Sequence, residues 1–150
     1  MKRLLTAGLV ASALFSGMAS AGTSYIPSFV TSSSGTWCAL ISNVSNVNVD
    51  VTIKVFNAQG TLYTGPTYND VSKYAIAGKL NTPFTLAPNQ TGNICTNQVP
   101  DDSTRGYGVV QGVPSNPNDA ANAYLIGRVF YTSAAGGYSQ TYTINGGNPF

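Results

Sequence analysis

Val47-Asn48-Val49-Asp50-Val51-Thr52-Ile53-Lys54-Val55-Phe56 is the stretch whose reading decides the fold. Val47, Val49, Val51, Ile53 and Val55 alternate with Asn48, Asp50, Thr52 and Lys54. A period of two places the first set on one face of a strand and the second on the other, so this is a half-buried β-strand. Asn57-Ala58-Gln59-Gly60 follows as a turn, with Gly60 suited to positive φ, and residues 61–64 are expected to return as a hairpin partner.

Upstream, residues 36–42 carry Trp37, Cys38, Leu40 and Ile41 and read as an inner strand, with 43–46 as the polar corner before the valine ladder. Downstream, 83–87 is a short strand stopped by Pro88-Asn89, and 91–96 is another that is expected to bring Cys95 inward. Two more strands, 106–111 and 123–132, flank 113–119, where Pro114 and Pro117 exclude regular structure. Residues 133–137 turn the chain into a last strand at 138–144, and 145–150 reads as a frayed tail. The chain has no glutamate and few long helix formers, leaving room for a turn or two of helix within 69–80. About seven to nine short strands with Gly, Pro and Asn between them predict an all-β fold, a single two-sheet antiparallel β-sandwich.

The first 21 residues read as a cleavable secretory signal: Met1-Lys2-Arg3 is positive, 4–15 is apolar, and Ala19-Ser20-Ala21 has the small-x-small pattern of a cleavage site. A membrane span wants about 18 or more apolar residues, and Gly8, Ser12, Ser16 and Gly17 interrupt this run. The expected organisation is a signal peptide at 1–21 and one domain at 22–150, with 22–35 as a flexible amino-terminal segment. The product is expected in the periplasm, at the cell surface or outside the cell, with no transmembrane segment in the mature chain.

Past the leader, Lys54, Lys73, Lys79, Arg105 and Arg128 balance Asp50, Asp70, Asp101, Asp102 and Asp119. The isoelectric point of about 8.6 therefore belongs to the precursor, and no basic cluster is left to displace counterions from nucleic acid. Only 8% of residues are charged, against about a quarter ordinarily, which leaves little like-charge repulsion to oppose self-association. Cys38 and Cys95 are the two cysteines of a chain expected to meet oxidising conditions, and they are expected to form one structural disulfide.

Histidine and glutamate are both absent. That removes the commonest proton acceptors near neutral pH, any Ser-His or Cys-His nucleophile system, and the usual zinc ligand sets. No catalytic residue and no cofactor is expected. Asp101 and Asp102 read as a solvated loop or, with loop carbonyls, as ligands of a calcium ion.

Tyr124, Phe130, Tyr131, Tyr138 and Tyr142 gather in the last two strands. A five-residue loop at 133–137 pairs Arg128 with Tyr142 and Thr132 with Tyr138, with Tyr124, Ile126 and Phe130 on the same face. Either that face is core and Arg128 snorkels out of it, or Tyr124, Arg128, Tyr138 and Tyr142 form a surface that stacks sugar rings. A slip of one residue exchanges the partners. At the amino end, Tyr25, Pro27 and Phe29 are expected to face one way and Ile26, Ser28 and Val30 the other. This strand either lies on its own sheet or is donated to a neighbour's.

The alternating strands, the two cysteines and the run Phe84-Thr85-Leu86-Ala87-Pro88-Asn89-Gln90-Thr91 resemble small bacterial exported β-sandwich proteins, among them chaperone-usher pilins and Ig-like surface domains. The resemblance implies an Ig-like or pilin-like architecture and carries over no functional residue: the chain ends Gly147-Asn148-Pro149-Phe150, and Trp37 precedes Cys38. The expected function is a non-enzymatic structural, adhesive or self-assembling component of the cell surface. Its partner would be another copy through strand-edge pairing, or a cell-surface or extracellular polymer. The alternative is a carbohydrate-binding module working through the tyrosine-rich carboxy-terminal hairpin.

Overall fold

The computed structural model describes residues 21–67, 76–96, 104–119, 121–133 and 139–150. It is a two-sheet sandwich built from nine strands: β1 (Gly22–Val30), β2 (Gly35–Asn43), β3 (Val49–Asn57), β4 (Ile76–Ala77), β5 (Phe84–Leu86), β6 (Thr91–Thr96), β7 (Arg105–Pro114), β8 (Leu125–Ser133) and β9 (Ser139–Thr143). One sheet has the order β1-β7-β3-β5 and the other β4-β6-β2-β8-β9. Every pairing is antiparallel except the two-residue contact of β4 with β6. From β1 to β8, each strand lies in the opposite sheet from the one before it, and only β8 and β9 are neighbours both in sequence and in space.

The valine ladder behaves as its period requires. Val49, Val51, Ile53 and Val55 are fully buried between the sheets while Lys54 is exposed. They meet Trp37, Ala39 and Ile41 of β2, Ile94 of β6 and Leu125 and Val129 of β8 in one continuous core. Burying each such side chain stabilises the fold by roughly 1.5–3 kcal/mol. Phe29 closes one end of this core, edge-on to Trp37 (ring centroids 5.1 Å, 86°) and tilted against Tyr63 (5.0 Å, 60°).

The polar corner is an interior hub. Asn43 is fully buried, and its Nδ2 donates to the carbonyls of Val47 (2.7 Å) and Leu86 (2.9 Å) while its Oδ1 accepts from the Ser45 backbone N–H (2.9 Å) and hydroxyl. One amide thus satisfies the backbone where β2 crosses to β3, as a buried polar side chain must.

Five expectations need correction or narrowing. Residues 61–64 do return beside β3, but the pairing is limited to the antiparallel bridge of Leu62 with Phe56 and the hydrogen bonds from the Asn57 N–H to the Thr61 carbonyl and from the Tyr63 N–H to the Val55 carbonyl (both 2.9 Å), too short to count as a strand. β7 runs on to Pro114, opposite Val49, a strand end where the missing N–H costs nothing. The cysteines point away from the inter-sheet core: Cys38 alternates with Trp37 and Ala39 and lies directly opposite Cys95, so the disulfide spans β2 and β6 on the outer face, buried with Leu40 and flanked by Phe130.

The amino terminus is the fourth correction. Gly22–Val30 is not a loose segment but pairs with β7, and its register shifts between Ile26 and Phe29. This bulge at Pro27-Ser28 resets the alternation, so Ile26 and Phe29 both point inward and Tyr25 and Pro27 outward. The Ser28 carbonyl at the bulge accepts the Trp37 indole N–H at 3.0 Å. The carboxy terminus is the fifth: after the 3-10 turn Ile144–Gly147, Phe150 exchanges both backbone hydrogen bonds with Leu125 (2.9 and 3.0 Å) and packs on the core, so the tail is docked. The leader expected at 1–21 lies, but for Ala21, outside the described residues. Among the described residues, no helix is long and apolar enough to cross a membrane.

Candidate functional site

The carboxy-terminal hairpin pairs Arg128 with Thr143, Val129 with Tyr142 and Thr132 with Ser139, one residue off the expected register. Tyr142 therefore shares the face of buried Val129, and Arg128 stands on the outer face with Ile126 and Phe130. Tyr124 is exposed just ahead of β8, its hydroxyl accepting from Asn122 Nδ2 at 3.0 Å. The four residues read as a sugar surface are thus divided: Arg128 faces outward, Tyr142 lies on the opposite face, Tyr124 stands before the strand, and Tyr138 falls outside the described residues. Asp101 and Asp102, the calcium candidates, also fall outside them.

What the fold does assemble is a groove of about 570 Å³ on the outer face of the five-stranded sheet, lined by Leu40, Ser42, Thr91, Ile126, Gly127, Arg128, Thr143 and Gly147. Two cross-strand rows build it. Leu40 of β2 is opposite Arg128 of β8, which is opposite Thr143 of β9; one step along, Ser42 is opposite both Ile126 and Thr91. Leu40 and Ile126 give an apolar floor, and the Ser42 and Thr91 hydroxyls, 2.7 Å apart, give a polar wall. Its volume is within the range of about 300–1,000 Å³ usual for small-molecule sites. Sequence reading found Arg128 and Ile126 but not Leu40, Ser42 or Thr91, because the pairing that joins them spans the whole chain.

The outer face of the four-stranded sheet carries a second cluster. Tyr107 stacks on Phe56 (5.3 Å, 22°), and Tyr25 stands on β1 opposite Val109. Tyr25 is 70% and Tyr107 43% exposed. One signal was available in sequence: Phe56 falls at the end of the polar face of the valine ladder, where an aromatic ring is out of place.

The edges of the sheets are equally informative. β4 and β5 are two and three residues long, β1 is interrupted by Pro27 and its bulge, and β9 has neither device. Its sequence, Ser-Gln-Thr-Tyr-Thr, is uncharged and almost wholly exposed.

Together these features define a two-sheet antiparallel β-sandwich held by one disulfide, with an outward-facing groove and, among the described residues, one edge strand without charge, proline or bulge. No protein-family model matches the chain, and no curated protein is detectably similar to it in sequence. Among solved structures, the crystal structure of Thermotoga maritima 1070 is similar, with a TM-score of 0.50 and 6% identity over 81% of this chain and 90% of that one. At that identity the likeness is one of fold alone.

Proposed function

We propose that this chain is an exported, non-enzymatic β-sandwich that acts as a structural or adhesive component by associating with further copies through β9. The observation that carries the reading is the contrast among edges: three are short or broken, and Ser139–Thr143 is left without charge, proline or bulge. Such an edge is a template for another strand. The signal-like leader and the disulfide favour export, and the absence of histidine and glutamate favours a role without proton-transfer chemistry. Donation of Gly22–Val30 to a neighbour loses its support, because that strand is anchored on its own sheet. Light scattering over a range of concentrations tests the proposal. The mass should rise with concentration, and Thr141→Lys should hold the protein monomeric; a wild type that stays monomeric throughout overturns it.

A second reading, carbohydrate binding, is favoured by the exposed rings of Tyr25 and Tyr107 rather than by the carboxy-terminal hairpin. Retention on insoluble polysaccharide, lost in Tyr25→Ala and Tyr107→Ala and kept in Thr141→Lys, would select it.

A further inference from the structure

We propose that the groove on the outer face of the five-stranded sheet binds small amphipathic carboxylates, with Arg128 holding the carboxylate and Leu40 and Ile126 receiving the apolar body. The argument begins with charge. The outer-face strand neighbours of Arg128 are Leu40 and Thr143 directly opposite, Ile126 and Phe130 two residues along the strand, and Cys38, Ser42 and Thr141 on the diagonals. None carries a charge, and among the described residues Arg128 has no carboxylate partner. An exposed guanidinium in water needs none, but this one borders a groove whose floor is apolar. A planar fork of N–H donors beside an apolar strip favours a carboxylate that carries hydrocarbon, because its two oxygens match the fork with two parallel charged hydrogen bonds while the strip takes the hydrocarbon.

The rest of the lining sets the body of the ligand. Ile126 and Leu40 lie on adjacent strands, one cross-strand step apart in register, and offer a continuous apolar strip leading away from Arg128. The Ser42 and Thr91 hydroxyls that border the strip are hydrogen-bonded to each other at 2.7 Å, so they place fewer demands on a ligand than free hydroxyls would. Gly147 leaves the strip open at one end, since a side chain there would meet nothing within 4 Å. A cation at one end and an apolar strip behind it match a molecule with a carboxylate at one end and hydrocarbon behind. This inference does not rest on association through β9, because the groove is formed within one chain.

Hexanoate is a suitable probe, titrated into isotopically labelled protein and followed by backbone amide chemical shifts. Shifts should concentrate at Leu40, Ile126 and Arg128, leaving Val51 and Ile53 in the core unmoved. Hexanol and hexylammonium, equal in length, should bind at least about tenfold more weakly, since they lack the paired charged hydrogen bonds. Arg128→Ala should cause a similar loss for hexanoate and Arg128→Lys a smaller one. Because Arg128 is exposed, both variants should keep the wild-type spectrum elsewhere. Galacturonate, with the same charge on a hydroxylated body, should bind more weakly than hexanoate. Equal binding of hexanol, an unchanged affinity in Arg128→Ala, or tighter binding of galacturonate would each overturn the proposal.

Discussion

β1 and β9 are the first and last strands, and each forms an edge of a different sheet, yet they are fastened in opposite ways. β1 gives Ser24, Ile26 and Phe29 to the interior and lends the Ser28 carbonyl to Trp37. β9 has no buried residue within its bounds; its anchors, Ile144 and Phe150, come after it. The bulge that spoils β1 as a template for a foreign strand is also what lets both Ile26 and Phe29 reach the core. Protection and anchorage therefore come from one irregularity, and the regular strand is the one left open.

The contrast can be tested most severely at Phe29. Phe29→Ala removes a fully buried ring and should cost about 3–5 kcal/mol in denaturant unfolding, whereas Tyr142→Ala, on the open edge, should cost under about 1 kcal/mol. Similar costs would mean that β1 is no better anchored than β9. Replacing both cysteines by serine should cost about 2–5 kcal/mol, since the bond closes a loop across 57 positions. It should do so without changing association through β9, because the bond ties β2 to β6 on the far side of β8; a change in oligomer size would link the two. Trp37→Phe keeps most of the packing but leaves the Ser28 carbonyl at the bulge unpaired, for roughly 1–3 kcal/mol. Hydrogen exchange should then quicken first at the β1 amides. The smallest effect on stability, within about 0.5 kcal/mol, is expected for Thr141→Lys, although this variant should change the association measured by light scattering most.

The fold was legible where the chain speaks locally. The alternation from Val47 to Val55 identified the central strand and its buried face, and 91–96 coincides with β6. Reading failed where a local rule was overridden by a distant partner. Pro27 marks an interruption near Phe29, but nothing local announces that a bulge there will reset the alternation of β1 and present the Ser28 carbonyl to Trp37. Cys95 looks like core by composition, but its face is set by lying opposite Cys38. The hairpin register missed by one residue, enough to take Tyr142 away from Arg128. For the same reason the groove was half visible: β8 supplied Arg128 and Ile126, while its other wall comes from strands paired across the length of the chain.

The alternation of strands between sheets also has a consequence in time. β1 ends at Val30 and its partner β7 begins at Arg105, so at about 5–20 residues per second the first strand waits on the order of 4–15 s for the strand it needs. During that interval Ile26 and Phe29 have no ladder to join, and until β8 and β9 emerge no two successive strands can pair as a hairpin. Topologies dominated by such distant pairings fold slowly and leave apolar segments uncovered while they do so. β3 can meet β5 and β2 can meet β6 once Thr96 has been made, whereas β1 must wait for β7, so the apolar side chains of the first strand are open to aggregation for longest.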